Sequence, residues 1–263
     1  MCNRSERTAG AWRQLFVWLA GFSLLIISVW PTARAHLDLL TQIEELTKQL
    51  EQQPDNVELL LKRGDLQRRH ENLDIARADF KRVREIQPDN KTIDWFEGRL
   101  EVESGRPESG ISYLDRYLDA NPGQVIALQN RARAHLMLGQ PLLAAQDFQT
   151  VIQVSDKPAP SLYSSNAQAL VVAGRDYYPQ AMTVVRAGLE KFPAEIMLTG
   201  IGTDISLARA DTVAAAELIN SLPDPILQLQ QWQLRKALLV CETGNKEPAL
   251  SNCQAKALEM LQH

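Results

Sequence analysis

Residues 57–90 read VELLLKRGDLQRRHENLDIARADFKRVREIQPDN. Apolar residues recur at helical spacing over 57–71 and again over 73–87, which predicts two amphipathic helices joined by a short turn. Gly64 and Ala76 are small where two helices must approach closely, and Leu60 and Phe80 are large enough to fill the space between. Pro88 ends the second helix, because it has no amide hydrogen and its ring blocks the preceding turn. The pattern then returns. Pro54, Pro88 and Pro122 lie 34 apart, in the polar turns QPDN, QPDN and NPGQ. Gly64, Gly98 and Ala132 keep that interval, as do Ala76, Gly110 and Ala144, then Phe80, Leu114 and Phe148, then Val83, Tyr117 and Val151. Several independent columns with one period over three units mark a repeat architecture.

These columns resemble the tetratricopeptide repeat, a 34-residue helix-turn-helix unit. Its order of large, small, small, aromatic and proline positions is filled in unit 57–90 by Leu60, Gly64, Ala76, Phe80 and Pro88. Unit 91–124 offers Asp94, Gly98, Gly110, Leu114 and Pro122, with Trp95 beside the departed apolar position. Unit 125–158 offers Leu128, Ala132, Ala144 and Phe148, with Asp156 in place of the proline. After the insertion KPAPS (157–161), weaker units follow at about 162–195, 196–229 and 230–263. Residues 36–53 read as one helix, through Leu39, Leu40, Ile43, Leu46 and Leu50, that caps the first unit. The resemblance implies an all-α fold. It would be a right-handed α-solenoid of about five to six helix-turn-helix units over 54–263, since one unit cannot bury its apolar face without a neighbour.

In this family, fixed positions of each first helix face a concave groove. The resemblance places Glu58, Leu61, Lys62, Asp65, Arg68 and Arg69 there from the first unit, and Trp95, Phe96, Arg99 and Val102 from the second. The third contributes Asn130, Arg133, Leu136 and Met137. The implied site is a partner-binding groove formed by Lys62, Arg68, Arg69, Trp95, Phe96, Arg99, Asn130 and Arg133. Its arginines and asparagine would hold an acidic or carboxylate feature of a protein or peptide, beside an aromatic anchor. It resembles the carboxylate-clamp variety of the family, with Trp95 where that variety has a lysine. The other reading is a solvated basic helix face with Trp95 or Phe96 packed between helices. From the fourth unit on, the corresponding residues (Asn166, Leu170, Ile201, Leu207, Leu234, Leu238) read as core, the alternative being an apolar surface for a peptide or a partner.

Residues 15–30, LFVWLAGFSLLIISVW, carry no charge. Arg4, Arg7 and Arg13 precede them, and Ala33-Arg34-Ala35 follows Pro31. A basic start, an apolar stretch and small residues two apart make 1–35 a secretory signal peptide with cleavage before His36. The alternative is an N-terminal anchor, although sixteen helical residues reach roughly 24 Å against a hydrocarbon core of roughly 30 Å. Both readings export the remainder to a bacterial periplasm, free or anchored to the inner membrane. The membrane is then met only through this segment. Its removal takes away a net charge of +3, so the −4 of the whole chain becomes −7. An acidic chain has no general field for nucleic acid.

Cys241 and Cys253 are the two cysteines after residue 35, an even number for an oxidising compartment. Hairpin geometry sets Cys241 opposite about residue 249, so a disulfide and two free thiols both stay open. His135 occupies a packing position, and His70 reads as exposed at a helix end. There is no G-x-S-x-G, HExxH, phosphate-loop or CxxC pattern, so no cofactor or metal is expected. The expected function is a non-enzymatic interaction scaffold in the cell envelope. The alternative is an accessory subunit of an envelope enzyme or assembly complex, sharing a site with its partner.

Overall fold

The computed structural model describes residues 38–243, which form helices and their connections with no strand among them. A first helix, α1, covers 38–52. It is followed by α2 (Val57–Arg69), α3 (Leu73–Ile86), α4 (Thr92–Glu103), α5 (Pro107–Ala120), α6 (Val125–Met137) and α7 (Pro141–Val154). Then come α8 (Pro160–Ala173), α9 (Tyr178–Lys191), α10 (Ile196–Ala208), α11 (Thr212–Asn220), the single turn α12 (Asp224–Leu227) and α13 (Gln230–Thr243). The chain is an all-α solenoid of helical hairpins. It divides into two compact units, one up to Phe96 and one from Glu97. The signal segment, the second half of the last predicted repeat and Cys253 lie outside the described residues.

The first helices α2, α4 and α6 end in the same way. Glu71, Gly105 and Gly139, spaced by 34, have φ of 64°, 74° and 68°. In each case the next amide reaches back to a first-helix carbonyl: Asn72 to Gln67 at 2.9 Å, Arg106 to Glu101 at 2.9 Å and Gln140 to His135 at 2.8 Å. This closes the orphan carbonyls of the helix end and turns the chain sharply into the second helix. Two of the three positions are glycine, which takes positive φ without strain. Second helices then start on proline at Pro107 and Pro141, where the missing amide hydrogen costs nothing.

In the first unit, Ile43, Leu50, Leu60, Ala76, Phe80, Val83 and Ile93 form the core. A Cβ on Gly64 would run into the Phe80 ring, so this position sets how closely α2 and α3 pack. Arg63 donates to both carboxylate oxygens of Asp79, at 2.9 and 2.5 Å, and reaches Thr47 Oγ1 at 3.4 Å. Asp79 is buried, and its hydrogen bond to Arg63 raises the pKa of the guanidinium further above its ordinary value. Asp94, at the departed apolar position, is buried with Arg84 Nη2 at 2.7 Å. The missing apolar side chain is supplied by Ile93, fully buried, rather than by Trp95.

The second unit repeats the ionic device. Arg131 donates to both oxygens of Asp147, at 3.0 and 2.6 Å, and to Asp115 at 2.7 Å. The hydrogen bond to Asp147, the strongest influence, and that to Asp115 outweigh the lowering by burial, so the guanidinium pKa is raised. Toward the C-terminus apolar packing takes over. Tyr163, Ala167, Ala181, Met182, Val185, Leu198, Ile201 and Ile205 form one cluster, and Ile219, Leu222, Leu227 and Trp232 another. Arg235 stacks on Trp232 at 4.7 Å and binds Asp204 through two bonds of 2.7 Å, tying α13 to α10.

Candidate functional site

In the first unit, α1, α2 and α4 enclose an open cavity of about 710 Å³. Helical spacing explains the lining. Glu58, Leu61, Lys62 and Asp65 recur three to four residues apart on one face of α2, and Thr41, Gln42 and Glu45 do so on α1. Trp95 and Phe96 form the aromatic part of the wall. Their rings meet edge to face with centroids 4.7 Å apart, and Phe96 also packs on the core ring of Phe80 at 5.4 Å. The anchor is therefore held rigidly from below while Trp95 remains half-buried.

The structure brings Lys62, Trp95 and Phe96 to this cavity. Arg68 is buried and pairs with Asp65 at 2.9 Å, while Arg69 is exposed outside the lining. Lys62 is itself bonded to Glu58 at 2.6 Å, and this bond holds the Glu58 carboxyl below the usual carboxylate range. Lys62 and Arg68 thus already face carboxylates of their own helix. Glu45 adds a further negative charge to the cavity wall.

In the second unit, Arg99 is half-buried with its Nε enclosed, and Asn130 donates to the Ile126 carbonyl at 2.7 Å. Arg133 is exposed on α6. Val102 does not face a groove: it is buried, and an added Cβ on Gly110 would meet its side chain. His135 is buried, with Nδ1 2.8 Å from Gln140 Oε1. His70 is half-buried rather than exposed, both ring nitrogens being enclosed at the end of α2. Asn166 and Ile201 are buried as core, Asn166 donating to Gln149 at 2.9 Å.

A second open cavity, also about 710 Å³, lies between α6, α8 and α10. Leu136, Ser161, Ser164, Ser165, Val172 and Met197 contribute to its wall. Its lining includes Leu136, which the family pattern placed on the groove. The rest comes from the end of the KPAPS insertion onward, where α8 begins at Pro160 and the 34-residue register slips. The signal that could have located it is the recurrence of small residues on one face of α8, Ser161, Ser164, Ser165 and Ala169. No helix among the described residues is long and apolar enough to cross a membrane.

The sequence profile of the tetratricopeptide repeat matches residues 97–160. No curated protein sequence matches the chain significantly. Among solved structures, the chain is similar to YrrB, described as a TPR protein with an unusual peptide-binding site, with a TM-score of 0.61 and 15% identity over 74% of this chain and 98% of that one. It is similar to PilW, described as a widely conserved type IV pilus biogenesis factor, with a TM-score of 0.59 and 19% identity over 75% and 90% of the two chains. A tetratricopeptide repeat protein from Parabacteroides merdae matches with a TM-score of 0.54 and 21% identity, over 86% and 93%. At these identities the likeness concerns the fold. The chain carries tetratricopeptide repeats at 97–160, and hairpin packing and structural neighbours agree on a tetratricopeptide-repeat fold for the described residues.

Proposed function

We propose that this protein is a non-enzymatic scaffold of the bacterial cell envelope that holds a partner protein or peptide against its first helices. Tetratricopeptide-repeat proteins act as protein-interaction scaffolds, and YrrB is described by its peptide-binding site. The observation that carries the reading is the cavity of α1, α2 and α4. It is large enough for several side chains, open to solvent, and built around an aromatic pair fixed to the core. Rigid aromatic anchors in an open cleft give binding energy at little cost in side-chain freedom. Export through residues 1–35 supplies the compartment.

The test replaces Leu61, on the cavity wall, with a photo-crosslinking amino acid in the full chain expressed in cells. A control chain carries the same group at Asp74, whose side chain is fully exposed on α3. A discrete adduct in the envelope fraction from position 61, absent from position 74 and lost on Trp95→Ala, is the expected result. The same adducts from both positions, or none from either, would overturn the reading.

A further inference from the structure

Between α9 and α11, the second helices of two successive hairpins, lie two adjoining recesses of opposite chemistry. One is a trough of about 370 Å³ whose walls include Met182, Leu189, Pro193 and Leu218. The other is a pocket of about 250 Å³ with Arg186, Ser206, Arg209 and Asp211 in its wall. Met182 and Arg186 line both, so trough and pocket meet along α9. Helical spacing accounts for this. Met182, Arg186 and Leu189 are four and three residues apart on α9 and share one face.

The pocket gathers donors that nothing within the protein uses. Arg186 comes from α9, and Arg209 is the residue that ends α10. Neither has an ion pair among the described residues. Ser206, one helical turn before Arg209, is 3% exposed and lines the pocket. Its hydroxyl makes no hydrogen bond among the described residues. A buried hydroxyl without a partner is costly, and a bound acceptor relieves that cost. Asp211 is the opposing charge. Its Oδ1 accepts the Ala214 amide at 3.1 Å and closes the start of α11, so that helix end is already occupied. Two guanidiniums against one carboxylate leave the pocket positive.

We propose that these two recesses together bind a phosphate group carried on an aliphatic chain. Arg186 and Arg209 pair with the phosphate oxygens, and the Ser206 hydroxyl donates to one of them. The aliphatic chain lies on Met182, Leu189 and Leu218. Glu217, in the trough wall, repels phosphate from that end and so sets the orientation. A cationic head is disfavoured, because it meets two guanidiniums for one carboxylate. The site shares no residue with the cavity of α6, α8 and α10 and does not rest on the scaffold reading.

The test titrates the full chain by calorimetry with octyl phosphate below its micelle concentration, inorganic phosphate and octyltrimethylammonium. Octyl phosphate should bind at one site, about tenfold or more tighter than inorganic phosphate. Octyltrimethylammonium should not compete for that site. Arg186→Ala and Arg209→Ala should each weaken octyl phosphate about tenfold or more. Both side chains are exposed, so the fold should persist, and circular dichroism checks it. Asp211→Asn keeps a capping side chain, removes the opposing charge and should tighten binding about threefold. Ala214→Phe fills the trough and should bring octyl phosphate down to the affinity of inorganic phosphate, itself unchanged. No saturable binding of octyl phosphate, equal binding of the ammonium amphiphile, or affinities indifferent to both arginine changes would overturn the inference. So would weaker binding to Asp211→Asn. Equal affinities of the natural chain for octyl phosphate and inorganic phosphate would make free phosphate the ligand and overturn it as well.

Discussion

The two cavities are equal in volume and differ in how their walls are held. Around α2, charged side chains are tied to one another: Glu58 to Lys62, Asp65 to Arg68, and Arg63 to Asp79 beneath. Around α8 the wall is mostly serine, alanine and aliphatic, with Glu195 its single charge, and the support is the cluster of Tyr163, Met182, Val185, Leu198 and Ile205. The first unit thus fixes an aromatic anchor within a charge-balanced frame. The second leaves apolar side chains open to solvent along its wall. One repeat scaffold can carry both because hairpin geometry depends on small residues and turns, which leaves most of the first-helix face free to vary.

The sharpest way to break this contrast is to disable the buried pair of the first unit. Arg63→Met strands the Asp79 carboxylate and should cost about 3–5 kcal/mol in chemical denaturation. Arg63→Met with Asp79→Leu should recover most of that loss, because a well-packed apolar pair can replace a buried ion pair. A double variant no more stable than Arg63→Met would show that charge is not what the first unit lacks.

A smaller effect is expected at the repeated turn. Gly105→Ala and Gly139→Ala should each destabilise by about 1 kcal/mol, since a Cβ disfavours the left-handed conformation. Glu71→Gly should stabilise by up to about 1 kcal/mol for the same reason. Equal responses at all three sites in thermal denaturation would contradict the shared geometry.

The last effect is local. In a pH titration followed by NMR, the Glu58 carboxyl should titrate below ordinary glutamates, and Lys62→Met should return it to their range. A lowered carboxyl contributes stability above its unfolded pKa that is lost as pH falls through its folded pKa. At this solvent-exposed pair that contribution should escape detection in denaturation curves.

Much of the architecture was legible in sequence because the packing columns are steric. Gly64 against Phe80, and Gly98 against Leu114 Cγ at 2.7 Å from an added Cβ, tolerate few alternatives. The ionic columns were hidden for a physical reason. Arg63 and Arg131, like Asp79 and Asp147, are two periods apart, and the unit between carries Glu97 and Tyr113 at those positions. The left-handed turn was masked in the first unit by Glu71. At the candidate site, the family resemblance put Lys62, Trp95 and Phe96 on one groove, and all three line the first cavity. It could not show that Lys62 and Arg68 would already be paired within their own helix. The second cavity escaped because insertion before α8 shifts the register.

The unequal burial of two indoles gives this protein its own optical probes. Trp12, Trp18 and Trp30 fall within 1–35, so a chain that begins at residue 36 has Trp95 and Trp232 alone. Trp95 lines an open cavity, while Trp232 is 1% exposed beneath the Arg235 guanidinium. Added iodide should quench the red-shifted emission of the first and spare the blue-shifted emission of the second. Occupancy of one unit and unfolding of the other can then be followed in a single cuvette, without a label.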